Sequence, residues 1–362
     1  MKQCKKCLLN ENYPNISFNE EGICSFCSSE SKSVHTPIGE DIIISIFETV
    51  KKKNKEYDAL VPLSGGKDST YILYLATKIY NLKVISMTYD NGFLSDTAKN
   101  NINNATKQLN VKHVYYKPNA EIQQKVFRNS FKLSGDICGA CDIGTKASIF
   151  KFAREYKTGL ILFGTSPLEE DSFVPDDIQD INRLKHILRE SGELTEKEIN
   201  EFLIYPNFNH LKESIYKKLR IIPRIIKPLF YIKNPTDKEV GEILKKELDW
   251  KEEGDGEYTK HFDCVAEPLT NYVRNKIYGY ERHLCQYSNM IRNKEIDKEK
   301  AIEMYKADDI NTPPKNYKEF LDYLKISEKE LNEEILTIKP LKYKSKTTFA
   351  NKIFDLLMKL KH

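Results

Sequence analysis

Residues 62–71 read PLSGGKDSTY. Two glycines, a lysine and an Asp-Ser pair have the makings of a loop that holds an anion. It is neither of two familiar kinds. A Walker A loop runs G-x-x-x-x-G-K-[ST], and here the lysine is followed by Asp68. The dinucleotide fingerprint G-x-G-x-x-G is also absent. The residues still supply what a phosphate needs. Gly65 and Gly66 let backbone N–H groups approach an anion closely, and a helix starting here adds a favourable dipole. Ser64 and Ser69 offer hydroxyl donors, and Lys67 offers charge. Asp68 would repel a phosphate unless a cation intervened, which implies Mg²⁺. A polar turn without a ligand is the weaker alternative.

Six of the eight cysteines fall into three C-x-x-C pairs. Cys4/Cys7 and Cys24/Cys27 are separated by sixteen residues, within the range of a four-cysteine zinc site. Between them lie turn residues and short β-prone pieces, as in a zinc ribbon. A structural Zn²⁺ is expected, which by itself implies no chemistry. Cys138/Cys141, in GDICGACDIG, have no second pair nearby and could be a redox pair, half a metal site or inert thiols. Cys285 sits in a helical pattern and reads as core. Cys264, close to His261 and Asp263, follows no clear apolar pattern.

The elements around these residues must bring them together. YDALVPL, LKVISMTYD, VKHVYYK and GLILFGT are short apolar or β-prone runs alternating with helical stretches, which indicates a doubly wound parallel sheet. Ligands of such sheets bind beyond the carboxyl ends of the strands. Ser64, Asp90 and Gly164 each follow a strand and are expected at one crevice. Thr236-x-x-Glu239 and Ser327-x-x-Glu330 match capping boxes, so Glu239 reads as a cap and not a catalyst.

A chain of 362 residues can hold about two or three domains. The net charge of +4 excludes a wholly basic nucleic-acid coat. Residues 206–233 carry seven Lys/Arg against one Glu, and residues 341–362 six against one Asp. These runs are either solvated helix faces or a surface for phosphate-bearing substrates or RNA. No apolar stretch approaches a membrane span, and the first residues have no signal-peptide core. A cytoplasmic location follows as the expectation, with cysteines as thiols or metal ligands.

LSGGKDST after a strand resembles the PP-loop of ATP pyrophosphatases, S-G-G-x-D-S. That resemblance implies an adenine nucleotide alpha hydrolase-like core that adenylates a carbonyl oxygen, releases pyrophosphate and lets a nucleophile displace AMP. It implies that Ser64, Gly65, Gly66, Lys67, Asp68 and Ser69 grip the departing phosphates of ATP. Lys67 and Asp68 would act in catalysis, with Asp68 helping to place Mg²⁺, while Asp90 and Gly164 would contact the nucleotide. CKKCLLNENYPNISFNEEGICSFC, VPLSGGKDS, GDICGACDIG and YERHLCQYSNMIRNKEIDKEKAIEMYK together resemble the N-acetyl sugar amidotransferase family. Such enzymes convert an N-acetyl group of a sugar or sugar nucleotide to an acetamidino group for lipopolysaccharide, other surface polysaccharide or flagellin glycans. Their ammonia usually comes from a separate glutaminase subunit, and this chain carries no glutaminase signature.

The resulting division is a zinc ribbon at 1–35, the ATP-binding α/β core at 36–165 and a largely helical insertion at 166–225. A return to the core at 226–250 and a helical C-terminal region at 251–362 complete it. The insertion is expected to cover the site and read a sugar nucleotide's diphosphate. One feature resembles a different group. A C-x-x-C after the PP-loop plus a distant cysteine is similar to tRNA thiolases that hold a [4Fe–4S] cluster on three cysteines. Cys138, Cys141 and Cys264 would be that set, and sulfur transfer to tRNA or a small molecule is the alternative function.

Overall fold

The computed structural model describes residues 2–28, 36–167, 180–203, 223–233, 235–252 and 263–339. The apolar runs become β1 (Ala59–Pro62), β2 (Val84–Tyr89), β3 (Lys112–Tyr116) and β4 (Leu160–Leu162), joined by β5 (Arg224–Ile226). All neighbours pair in parallel in the order β3-β2-β1-β4-β5. The chain leaves β1 in one direction along the sheet and returns to its other side with β4. A crevice therefore opens beyond the ends of β1 and β4. The fifth strand has no signal of its own in the sequence, because three residues on a sheet edge need little apolar surface.

Helices cover both faces. In chain order they are α1 (Glu40–Lys51), α2 (Lys67–Tyr74), α3 (Asp96–Gln108), α4 (Ala120–Ser134) and α5 (Cys138–Glu155). After β4 come α6 (Ile181–Glu190) and α7 (Glu196–Leu203), and after β5 comes α8 (Asp237–Leu248). The C-terminal helices are α9 (Glu267–Tyr278), α10 (Arg282–Arg292), α11 (Lys298–Ala307), α12 (Tyr317–Leu324) and α13 (Glu328–Glu333). Alternation along β1 decides which core each residue joins. Ala59 and Val61 pack with Ile43, Phe47, Ile72, Leu244 and Trp250 on one face. Leu60 packs with Ile85, Met87, Ile149 and Ile161 on the other. Each fully buried aliphatic side chain is worth about 1.5–3 kcal/mol. With both faces covered, these strands read as continuous apolar runs.

A third core unites α4, α6, α7, α9, α12 and α13 through Phe127, Phe131, Leu188, Phe202, Val273 and Phe320. It joins the helices following β4 to the C-terminal region. The fourth belongs to the cysteine module, where Leu8, Leu9 and Tyr13 meet Tyr280, Leu284, Cys285 and Met290. Both capping boxes form, at Thr236/Glu239 and Ser327/Glu330. Cys285 is buried in α10, where its thiol donates to the Glu281 carbonyl at 3.2 Å. The sheet is thus doubly wound and parallel, with a four-cysteine module before it and a helical region after it.

His261 and most of the two basic runs lie outside the described residues, as does much of the insertion expected at 166–225. No helix among the described residues is long and apolar enough to cross a membrane.

Candidate active site and cysteine centres

The loop after β1 is shaped by its own hydroxyls. Ser64 N–H donates to Ser69 Oγ at 3.2 Å, the two hydroxyls lie 3.1 Å apart, and Gly66 N–H donates to Ser64 Oγ at 3.3 Å. Gly65 adopts φ +85°, and a Cβ there would stand 2.4 Å from the Ala98 carbonyl oxygen. Only glycine suits that position, for both backbone and space. Its carbonyl accepts from Trp250 Nε1 at 3.0 Å and Asn101 Nδ2 at 3.1 Å, both buried. Trp250 and Asn101 thereby hold the crest of the loop from behind. Gly164, after β4, lies so close to the start of α2 that a Cβ would sit 2.8 Å from Ser69 N.

Lys67 is buried at the first position of α2. Its ammonium pairs with Asp237 and lies 3.6 Å from Asp68. Burial works against that charge, yet Asp68 and Asp237 outweigh it and hold the lysine above its ordinary pKa. Burial raises Asp68, with Lys67 opposing. Asp263 hydrogen-bonds Ser64, and its carboxylate would meet a Cβ on Gly66 at 3.5 Å. Burial pushes its pKa up, against Ser64 and Arg282. One lysine thus stands among carboxylates that converge from α2, α8 and the segment before α9. A Mg²⁺ bound to phosphates needs only one or two protein carboxylates, and Asp68, Asp237 and Asp263 include suitable donors.

This loop opens into a cavity of about 930 Å³. It is lined by Met87, Tyr89 and Phe163 from β2 and the end of β4, by Ile149 and Phe150 of α5, and by Asn271, Arg282, His283, Gln286 and Asn289 from α9 and α10. Ser64, Gly66, Lys67, Asp68, Ser69 and Gly164 all line it. Asp90 does not: its carboxylate accepts from Gly92 N–H at 3.1 Å and pairs with Lys117 at 3.3 Å. The neighbouring Asn91 lines the cavity instead. A strand's end is legible in sequence, but which residue of the following turn faces inward depends on the turn.

The four N-terminal cysteines bring their sulfurs within 4.8 Å of one another, with Cys7 and Cys24 3.8 Å apart. Thiolates at Zn–S distances of about 2.3 Å on a tetrahedron stand about 3.8 Å apart, so the set fits one Zn²⁺. Hydrogen bonds from Cys27 and Cys7 lower the pKa of the Cys24 thiol, favouring its thiolate.

Cys138, Cys141 and Cys264 also meet, all three lining the cavity with the loop. Cys138 begins α5, its N–H donating to Asp136 Oδ1 at 2.6 Å. Asn91 Nδ2 donates to Cys141 Sγ at 3.3 Å. Residue 264 is brought in by an antiparallel bridge to Leu94. Burial raises all three thiols, Cys141 to about 11 and Cys264 to about 12, so as isolated groups they are protonated. Among the described residues only the N-terminal set has three or more ligand atoms within 4.8 Å. The cavity cysteines therefore do not form a compact single-ion site. A cuboidal cluster, whose thiolates bind separate irons, spreads its ligands more widely, and a convergent but loose trio suits that better.

On α10, His283 lies between carboxylates, Nδ1 2.8 Å from Asp308 and Nε2 3.4 Å from Glu267. Burial would lower its pKa, but Asp308 and Glu267 prevail, with Glu281 adding to them, and lift it to about 10. The unfolded value is near 6.5, so the stabilisation is complete below about 6.5 and is lost as pH rises through about 10. Thermal melts between those limits should fall with rising pH less steeply in His283→Gln than in the parent. Equal slopes would exclude this pair as the cause.

The family model described as "LPS biosynthesis protein WbpG-like, C-terminal domain" matches residues 255–361. The described part of that match supplies α9 to α13, including the residues of α9 and α10 that line the cavity. No curated protein matches the chain. Similar solved structures include the U34-tRNA thiolase NcsA from Methanococcus maripaludis with its [4Fe–4S] cluster. It is 15% identical over 82% of this chain and 88% of that one, with a TM-score of 0.34. The NMN synthetase from Francisella tularensis is 12% identical over 70% of this chain and 91% of that one, with a TM-score of 0.38.

Proposed function

We propose that this chain is an ATP-dependent amidotransferase acting on the N-acetyl group of a sugar or sugar nucleotide destined for a surface polysaccharide or flagellin glycan. The observation that carries the reading is the shared cavity. A PP-loop with its lysine and carboxylates lines it, and so do helices matched by a lipopolysaccharide-biosynthesis family model.

The acetamido oxygen attacks the α-phosphorus of ATP, and the bond to the β-phosphate breaks. Pyrophosphate leaves into the loop, where the N–H groups at the start of α2, Ser64, Ser69 and Lys67 take up its charge. Mg²⁺, held through Asp68 and its neighbours, would screen phosphate charge. Carbon now bears AMP, a far better leaving group than an amide oxygen. Ammonia adds to that carbon, loses a proton and expels AMP with the original oxygen, leaving the amidine. A separate glutaminase subunit is the proposed ammonia source, and the cytoplasm, where ATP is available, is the proposed location.

The meeting of Cys138, Cys141 and Cys264 in the same cavity favours a second reading. A [4Fe–4S] cluster on those thiolates would leave one iron open to carry sulfide, which would replace ammonia as nucleophile toward tRNA or a small molecule. One experiment separates the two. Protein purified without oxygen is assayed for zinc, iron and acid-labile sulfide, then given ATP, Mg²⁺, ¹⁵N-ammonium and a panel of N-acetylated sugar nucleotides. Zinc alone, with AMP, pyrophosphate and a ¹⁵N-amidine formed together, is the expected result. Iron and sulfide lost in Cys264→Ala, with no amidine from any acceptor, would overturn the amidotransferase in favour of sulfur transfer.

A further inference from the structure

The proposed chemistry leaves the N-terminal cysteine module without a task, yet the module is built into the wall of the cavity. Leu8 N–H donates to Ser288 Oγ of α10 at 3.2 Å, in a buried contact. Asn10 Nδ2 donates to the Gly279 carbonyl at 2.8 Å, between α9 and α10. Gly279 has φ +72°, and Asn12 fills the place a side chain would take, 2.1 Å from an ideal Cβ. Lys298 Nζ, at the start of α11, donates to the carbonyls of Cys4 at 2.8 Å and Lys5 at 3.0 Å. Tyr13 meets Tyr280 edge to face at 5.6 Å. The knuckle is thus tied to the turn before α10, to the middle of α10 and to the helix after it.

Helical periodicity divides α10 between two neighbours. Leu284, Cys285 and Ser288 turn toward the module. Arg282, His283, Gln286 and Asn289 line the cavity. These sets alternate along one helix of eleven residues, so a shift in what packs behind it moves what projects in front. A loop of this kind around four thiols has too small a core to hold its own shape. Metal binding therefore supplies much of its folding energy.

We infer that the four-thiolate centre is a positioning module for the α10 wall of the cavity: metal on Cys4, Cys7, Cys24 and Cys27 fixes α10, and through it Arg282 and Gln286. The crest of the loop after β1 is held from the sheet side by Trp250 and Asn101, while Asp263, which hydrogen-bonds Ser64 and faces Arg282, touches both parts. Loss of the metal should therefore loosen α10 and spare the crest of the loop. The inference does not depend on whether ammonia or sulfur is the nucleophile.

Hydrogen–deuterium exchange on the full chain tests it, comparing zinc-loaded protein with Cys7→Ser/Cys24→Ser and reading ATP affinity in parallel. Exchange should rise at least about tenfold in residues 2–28 and 278–307. Residues 59–74 and 84–108 should keep their protection, and ATP affinity should change less than about threefold. Unchanged exchange in 278–307, or an equal rise throughout the sheet, would overturn the inference. Asn10→Ala/Ser288→Ala provides the second arm, since it leaves every thiolate in place. It should retain its zinc and still show faster exchange in 278–307. Retained zinc with unaltered exchange would count equally against the module's role.

Discussion

Lys67→Met is expected to slow ATP-dependent pyrophosphate release by about 10²–10³-fold, the usual loss when one preorganised donor to a developing charge is removed. The side chain is buried and its ammonium is shared between Asp68 and Asp237. Methionine keeps most of the volume, so packing is preserved and the change is electrostatic. Without the cation, carboxylates from α2 and α8 would repel one another and, on the proposed function, the nucleotide's phosphates. Asp237 competes with a bound phosphate for the Lys67 ammonium, which has three N–H donors. Asp237→Asn should accordingly bind ATP at least as tightly as the parent, and Lys67→Met/Asp237→Asn should regain part of the lost affinity. Calorimetry with ATP and Mg²⁺ and a pyrophosphate-release assay with an accepted substrate would measure these effects. A Lys67→Met enzyme with more than about a tenth of parental turnover would remove the lysine from the chemistry.

Asp136→Ala should destabilise the protein by about 3–5 kcal/mol, as breaking a buried ion pair does. Asp136 and Arg274 meet at 3.1 Å with side chains 2% and 4% exposed. Asp136 also receives the Cys138 N–H, so its one carboxylate ties the start of α5 to the middle of α9. Removal leaves the Arg274 guanidinium buried over the rings of Tyr278 and Tyr280, which offset only a fraction of its lost partner. Denaturant unfolding would give the free energy. A loss below about 1 kcal/mol would mean that water or another acceptor replaces the carboxylate. Arg274→Met/Asp136→Leu should recover much of the stability, because an apolar pair avoids the desolvation cost. It would not restore the acceptor for Cys138 N–H. Comparing the two variants therefore separates stability from placement of the cavity cysteines.

What the residues alone determined was local. The loop Ser64–Ser69 is a run of six positions whose glycines and hydroxyls make their own turn. The cysteine knuckles and both capping boxes likewise close over a few residues, so residue type and spacing carried them. The alternation of buried strands with helices was legible because burial on both faces leaves continuous apolar runs. Tertiary structure decided the partners. Asp237 reaches Lys67 from the first residue of α8, and Trp250 reaches the Gly65 carbonyl from just beyond that helix. Asp263 and Cys264 join the site because their segment pairs with the residues following β2. His283 meets Asp308 only because α10 and α11 fold back on each other. The turn after β2 presents Asn91 to the cavity and directs Asp90 toward Lys117. None of these has a sequence period, since a polar contact between distant segments requires only that two side chains arrive at one place. Which ones arrive is set by strand order and helix packing, whose energy is spread over apolar residues that say little about the polar groups they bring together.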